Sequence, residues 1–195
     1  MRLGIFGGTF DPPHTGHLLA ASDAYEVMEL DRLIFVPSAR QPLKVGAVEG
    51  SPAQRLEMLR RMTRDDPRFE VDPVEIDRPG LSYTVDTLAA FAERYPVARR
   101  FFLIGEDLVP QLPSWRDPER IAGLAELVVL SRSGDTRSGT WAAGAAPRVP
   151  VTRIATRRVE ISSTEVRERA RAGKPLRGFV SDGVAELIHA AGLYR

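Results

Sequence analysis

Short apolar runs alternate with longer helical patterns along this chain, and that rhythm limits the fold more than any other feature. Leu3–Phe6 reads as a short buried strand ended by Gly7-Gly8, and "LIFVPS" at Leu33–Ser38 as a second. "FEVDPVEI", from Phe69, is a third strand region in which Pro73 marks an edge or a break. "RFFLIG" (Arg100–Gly105), "ELVVLS" (Glu126–Ser131) and "VPVTRIA" (from Val149) follow. Between them, Gly16–Glu29 carries Leu18, Ala21 or Ser22, Tyr25 and Met28 at helical spacing. "SPAQRLEMLRRM" opens a helix with Ser51 as N-cap, Pro52 at the first position and Gln54 closing a capping box. "YTVDTLAAFAERY" and a short stretch around Pro118–Leu124 continue the alternation. Strand and helix in turn predict an α/β fold, a doubly wound and mainly parallel sheet with helices on both faces.

The last two stretches, "EISSTEVRERARAG" and "SDGVAELIHAAGLYR", predict capped helices. Ser162 or Ser163 caps the first and Ser181 the second, with Gly173 and Gly192 as stops. They form a small C-terminal helical part, about 160–195, of a single domain spanning 1–195. Residues 133–148, rich in Gly, Ala and Ser, predict a long mobile loop.

Composition removes several function classes. Lys and Arg number 27 against 26 Asp and Glu, a net charge of +1. A polymeric nucleic acid held by a basic surface is therefore not expected, whereas a small polyanion needs only a local cluster of positive charge. Cysteine is absent, which excludes disulfides, thiolate metal sites and cysteine nucleophiles. The opening apolar stretch is too short for a signal peptide and no run suits a membrane span, so the expected location is the cytoplasm, without a membrane partner. Lys44 and Lys174 are the only lysines, which draws attention to either one at a motif position.

In a sheet of this kind ligands sit beyond the C-terminal ends of the strands. The stretch "GGTFDPPHTGH" (Gly7–His17), "GED" (Gly105–Asp107) and Arg132 all fall on that rim. Gly7 and Gly8 allow a tight turn and a close backbone approach to a phosphate. The spacing is neither G-x-G-x-x-G nor G-x-x-x-x-G-K-[ST], so the two usual nucleotide fingerprints are missing. His14 and His17, three apart where a helix begins, share a face beside its positive end. Two imidazoles there can donate to phosphate oxygens, and a bound polyanion would favour their charged forms. A zinc site would need further ligands, and His189 is the only other histidine.

"GGTFDPPHTGH" resembles the signature of the HxGH nucleotidyltransferase superfamily. These proteins bind ATP or CTP on a Rossmann-like sheet and transfer a nucleotidyl group with loss of pyrophosphate. The superfamily's second signature is matched by "ISSTEVR" (Ile161–Arg167). On physical grounds Ser162, Ser163 and Thr164 place hydroxyls and free amides at a helix N-terminus, with Arg167 one turn on. An ordinary capping box, Ser162 with Glu165, is the plainer alternative.

Three further stretches, "RPGLSYTVDTL" (Arg78–Leu88), "IGEDLVPQLPSW" (Ile104–Trp115) and "LSRSG" (Leu130–Gly134), resemble the bacterial nicotinate mononucleotide adenylyltransferases. The resemblance covers nearly the whole chain. It implies ATP and nicotinate mononucleotide as substrates, deamido-NAD and pyrophosphate as products, and Mg²⁺ accompanying the triphosphate. It implies His14 and His17 as catalytic donors, with Gly7, Gly8, Thr9, Phe10, His17, Lys44, Gly105, Asp107, Ser162, Ser163, Thr164 and Arg167 around ATP. For the mononucleotide it implies Trp115 against the pyridinium ring, Thr84 at the carboxylate with Tyr83 and Thr87 as weaker candidates, and Arg132 at a phosphate. Leu43 stands where the family usually has a histidine before Lys44, and Glu106 where a small residue is common.

A nicotinamide mononucleotide or phosphopantetheine adenylyltransferase is the nearest alternative, and a non-catalytic nucleotide-binding sensor is the alternative from another class. Nothing in the chain says whether it forms a homo-oligomer.

Overall fold

The computed structural model describes residues 1–40, 48–132, 139–141 and 149–195. Seven strands form one sheet in the order β3-β2-β1-β4-β5-β7-β6. They are β1 (Arg2–Gly8), β2 (Arg32–Pro37), β3 (Phe69–Val71), β4 (Arg99–Gly105), β5 (Glu126–Ser131), β6 (Gly139–Trp141) and β7 (Val149–Ala155). Every pairing is parallel except β6 on β7. The order reverses between β1 and β4, which leaves a crevice at their C-terminal ends.

The strands read as unbroken apolar runs because both faces are covered, and successive side chains go to opposite sides. Leu3, Ile5, Ile34, Phe102, Ile104 and Val129 join one cluster. It is closed by α4 (Thr84–Arg94), α5 (Pro118–Leu124) and a 3₁₀ helix at Glu106–Ser114. Phe6, Leu33, Phe35, Phe101, Leu103 and Leu130 join the other. That face is closed by α1 (Thr15–Val27), α2 (Pro52–Thr63), α6 (Ser163–Arg171) and α7 (Asp182–Ala190), while α3 (Val74–Asp77) is a single turn. The C-terminal helices thus share a core with the helix of the first motif. Among the described residues no helix is long and apolar enough to cross a membrane.

Several local expectations change. The third strand stops at Val71: Asp72 accepts the amide of Val74 and Pro73 caps α3, so "DPVEI" leaves the sheet. The stretch after β4, given no element from the sequence, coils into the 3₁₀ helix. Within 133–148, residues 139–141 form a strand against β7 and the remainder lies outside the described residues. Ser51 and Gln54 make the reciprocal capping box. Gly173 and Gly192 hold left-handed φ of 63° and 59° past their helices. Ser181 occupies the N-cap position of α7, yet its hydroxyl caps nothing.

Candidate active site

Gly7 and Gly8 are the last two residues of β1, so neither makes the tight turn read from the sequence. Their missing side chains make room for aromatic rings. A Cβ on Gly7 would stand 2.9 Å from the Phe102 ring, and one on Gly8 would stand 2.8 Å from that of Phe10. Phe10, at a φ of 52°, folds its ring back into the core against Phe6 and Phe35. Its ring also meets His17 edge-on at 5.0 Å and gives that imidazole a fixed wall.

His14 is the N-cap residue of α1 and His17 lies one turn on. The His14 amide donates to Nδ1 of His17 at 3.2 Å. An accepting Nδ1 carries no proton, so the N–H of neutral His17 is on Nε2. The rings lie 3.7 Å apart at 32°. His14 is 3% exposed, and its Nδ1 has no hydrogen-bond partner; the nearby His17 amide donates to the His14 carbonyl at 2.9 Å. Burial, and then the positive charge of Arg132, pushes its pKa down to about 4. Free His14 is therefore neutral at physiological pH, against the charged form expected once a polyanion binds. Gly16 leaves room for this ring, since a Cβ there would crowd His14 Nδ1 at 3.0 Å.

The histidines line a cavity of about 780 Å³ at the β1–β4 crevice. Its walls bring together every residue expected around ATP except Lys44, which lies outside the described residues. Arg132, just past β5, reaches the same cavity. The N-terminus of α6 lines the same cavity. Ser162 is its N-cap and accepts the Glu165 amide at 3.1 Å, whereas the Ser163 hydroxyl donates to the Pro12 carbonyl at 2.9 Å. Arg167 donates to the Asp11 carbonyl at 2.8 Å, and its Nε lies 3.0 Å from Glu49 as an ion pair without hydrogen-bond geometry. The α6 N-terminus is thereby sewn to the histidine loop. Glu106, in the rim stretch read from the sequence but given no role there, accepts from Ser131 and Arg153, each at 3.2 Å.

Apart from Arg132, the residues expected at the acceptor do not line this cavity. Tyr83, Thr84, Thr87 and Trp115 belong to the α4 and 3₁₀ face of the sheet. Trp115 is half-buried and meets Phe102 edge-on at 6.1 Å, so Phe102 stands between it and Gly7. Tyr83 is the N-cap residue of α4, which leaves Thr84 as its first helical residue and not its cap. The Arg116 guanidinium lies 5.0 Å over the Tyr83 ring. Thr87 requires correction: it is 0% exposed and donates to Glu75 at 2.7 Å, which makes it a buried brace. Burial pushes the Glu75 carboxyl up, with the Thr87 and Ser82 hydroxyls opposing.

Sequence reasoning passed over the polar bracket under the histidine loop. Buried Asp11 accepts the amides of Glu49 and Gly50 at 2.8 and 2.9 Å. Arg55, also buried, donates to the carbonyls of Thr9 and Gly50 at 2.7 and 3.0 Å. Asp11 was visible within the motif, but an arginine in an amphipathic helix gives no sign that it turns inward.

Comparison with known proteins agrees with this architecture. The family described as cytidylyltransferase-like matches residues 5–169. A protein of Gemmatimonas aurantiaca named "Probable nicotinate-nucleotide adenylyltransferase" is 48% identical, the match covering 100% of this chain and 93% of that one. A Thermus thermophilus protein of the same name is 44% identical, with both chains covered in full. A solved structure of Plasmodium falciparum nicotinic acid mononucleotide adenylyltransferase, complexed with NaAD, superposes with a TM-score of 0.77. At 16% identity over 99% of this chain and 97% of that one, it speaks to the fold. With the sheet order, the paired histidines and the second helix N-terminus in place, the chain belongs to the cytidylyltransferase-like family.

Proposed function

We propose that this protein joins ATP and nicotinate mononucleotide to give deamido-NAD and pyrophosphate, an adenylyl transfer in NAD biosynthesis carried out in the cytoplasm. The observation that carries the reaction type is the close pair of His14 and His17 lining one cavity together with the α6 N-terminus. Full-length identity of 44–48% to relatives named for this activity supports the acceptor.

The mononucleotide phosphate oxygen attacks the α-phosphorus of ATP in line, the bond to the bridging oxygen of the β-phosphate breaks, and pyrophosphate leaves. The attacking oxygen is already anionic, so the step needs no general base. Catalysis is positioning and stabilisation of charge. The Nε2–H of His17 is fixed as a donor by the His14 amide. The α6 amides and Arg132 supply positive potential from the other walls. As phosphate charge enters, it opposes the burial that keeps His14 neutral and draws a proton to that ring.

Among the described residues no group of three or more His, Cys, Asp or Glu is placed to hold a metal. Mg²⁺ therefore fits here as part of the Mg-ATP substrate, held by phosphate oxygens and water, where it would neutralise charge on the leaving pyrophosphate.

The test is pyrophosphate release with Mg-ATP and nicotinate mononucleotide, nicotinamide mononucleotide or phosphopantetheine offered in parallel. Preference for the nicotinate compound is the expected result. Preference for another acceptor overturns the assignment of Thr84 and Trp115, and ATP binding without turnover favours a sensor.

A further inference from the structure

The penultimate residue of the chain reaches the histidine loop. Tyr194 donates its hydroxyl to Oδ1 of Asp11 at 2.7 Å, across 183 positions of sequence. Both residues are nearly closed to solvent, Asp11 at 4% and Tyr194 at 5% exposed. Tyr194 adopts a φ of 61°, a conformation non-glycine residues seldom take, and it follows Gly192 at 59°. Two left-handed residues in three turn the tail back from α7 so that the phenol meets the carboxylate.

The site around that bond has been left open for it. A Cβ on Gly50 would lie 2.7 Å from Asp11 Oδ1 and 3.1 Å from the Tyr194 hydroxyl. With its phenol the carboxylate gains three donors, the others being the Glu49 and Gly50 amides. Arg55 adds its charge and grips Thr9 on the near side of Asp11, while Arg167 grips the Asp11 carbonyl from α6. Burial and the neighbouring carboxylate push the Tyr194 phenol up, so it stays a donor throughout the working pH range. Asp11 is three residues before His14 and lines the same cavity, and the proposed reaction assigns its carboxylate no bond made or broken.

We propose that Tyr194 is a positioning residue: through Asp11 its hydroxyl holds the segment bearing His14 and His17 in register with the α6 N-terminus. A tail used only for packing would fill the same space with a phenyl ring. The hydroxyl and the glycine facing it are the parts that act on the loop. This inference rests on the adenylyl-transfer reading for its kinetic consequence, but not for its structural one.

The experiment compares the full chain with Tyr194→Phe, Asp11→Ala and the double variant in steady-state pyrophosphate release, well below each variant's melting temperature. Each single change is expected to lower kcat roughly tenfold or more, because small misplacement of reacting groups is costly. KM for either substrate should stay within about twofold. The double variant should be no slower than the Asp11 single variant, because the Tyr194 hydroxyl acts only through Asp11. A Tyr194→Phe kcat within about twofold of wild type, or losses that multiply, overturns the proposal. Should Tyr194→Phe not fold, Gly50→Ala, which crowds the bond with both partners present, must give the same kcat-selective loss or the proposal fails. A wild-type chain that turns over no acceptor would defeat the reading of the reaction alone. The imidazole ¹⁵N resonances of His14 and His17 then decide: displaced in Tyr194→Phe supports the link, and superimposable overturns it.

Discussion

His14 and His17 lie with ring centroids 3.7 Å apart, and the backbone amide of the first donates to Nδ1 of the second. One ring is thereby held as an Nε2–H donor, and the other is buried beside it with an unpartnered nitrogen. In the proposed reaction the pair divides the work: His17 is set before substrate arrives, and His14 responds to the charge substrate brings.

Replacing either histidine by alanine should lower kcat by roughly 10²–10³, the scale for a positioned transition-state donor. Melting temperature and circular dichroism establish that the variants are folded. Near-normal turnover by a folded His17→Ala protein would remove it from the reaction.

The depressed pKa of His14 makes stability depend on pH. Between its unfolded value near 6.5 and its folded value of about 4, the unfolded chain holds a proton that the folded chain does not. Stability is thus fully present above pH 6.5 and declines as pH falls toward 4, by on the order of 3 kcal/mol for this group. Denaturant titrations across that window should show the slope, and His14→Gln should flatten it. Arg132→Gln should move the His14 titration upward in an NMR experiment, since the Arg132 charge is one cause of the depression.

Glycine substitutions separate packing from chemistry. Gly8→Ala drives a methyl into the buried Phe10 ring, and overpacking of that kind costs about 1–3 kcal/mol. Gly16→Ala pushes the His14 ring against His17, so its larger effect should be on kcat, roughly tenfold or more. Thermal melts and initial rates measured on both proteins distinguish the two patterns.

Trp115→Ala should raise KM for the mononucleotide while leaving KM for ATP near its original value. Loss of a desolvated cation–π contact of about 2 kcal/mol corresponds to a factor of about thirty. Equal changes in both KM values would make Trp115 a packing residue against Phe102.

The sheet was legible because its strands are continuous apolar runs bounded by turns, and Ser51 and Gln54 announced α2 in full. The cavity was legible through chemistry, since histidine pairs and serine-rich helix starts are local in sequence. What failed was the tight turn read at Gly7 and Gly8, which end β1 and line the cavity. A missing side chain can admit a phosphate on one side and a ring on the other, and the rings of Phe102 and Phe10 were not visible from the sequence. Thr87 misled for a similar reason: its helical position was clear, whereas the buried Glu75 that it serves lies 12 residues upstream in a segment read as strand. Asp11, Arg55 and Tyr194 converge from three distant segments, and no local pattern records that.

The central claim is transfer of the α-phosphoryl group of ATP with its nucleoside. The direct test incubates the protein and nicotinate mononucleotide with ATP labelled with ³²P at the α or the γ position. Label from α in the dinucleotide product, and label from γ only in pyrophosphate, is the predicted result. Label from γ in the acceptor, or released as orthophosphate, would contradict the account.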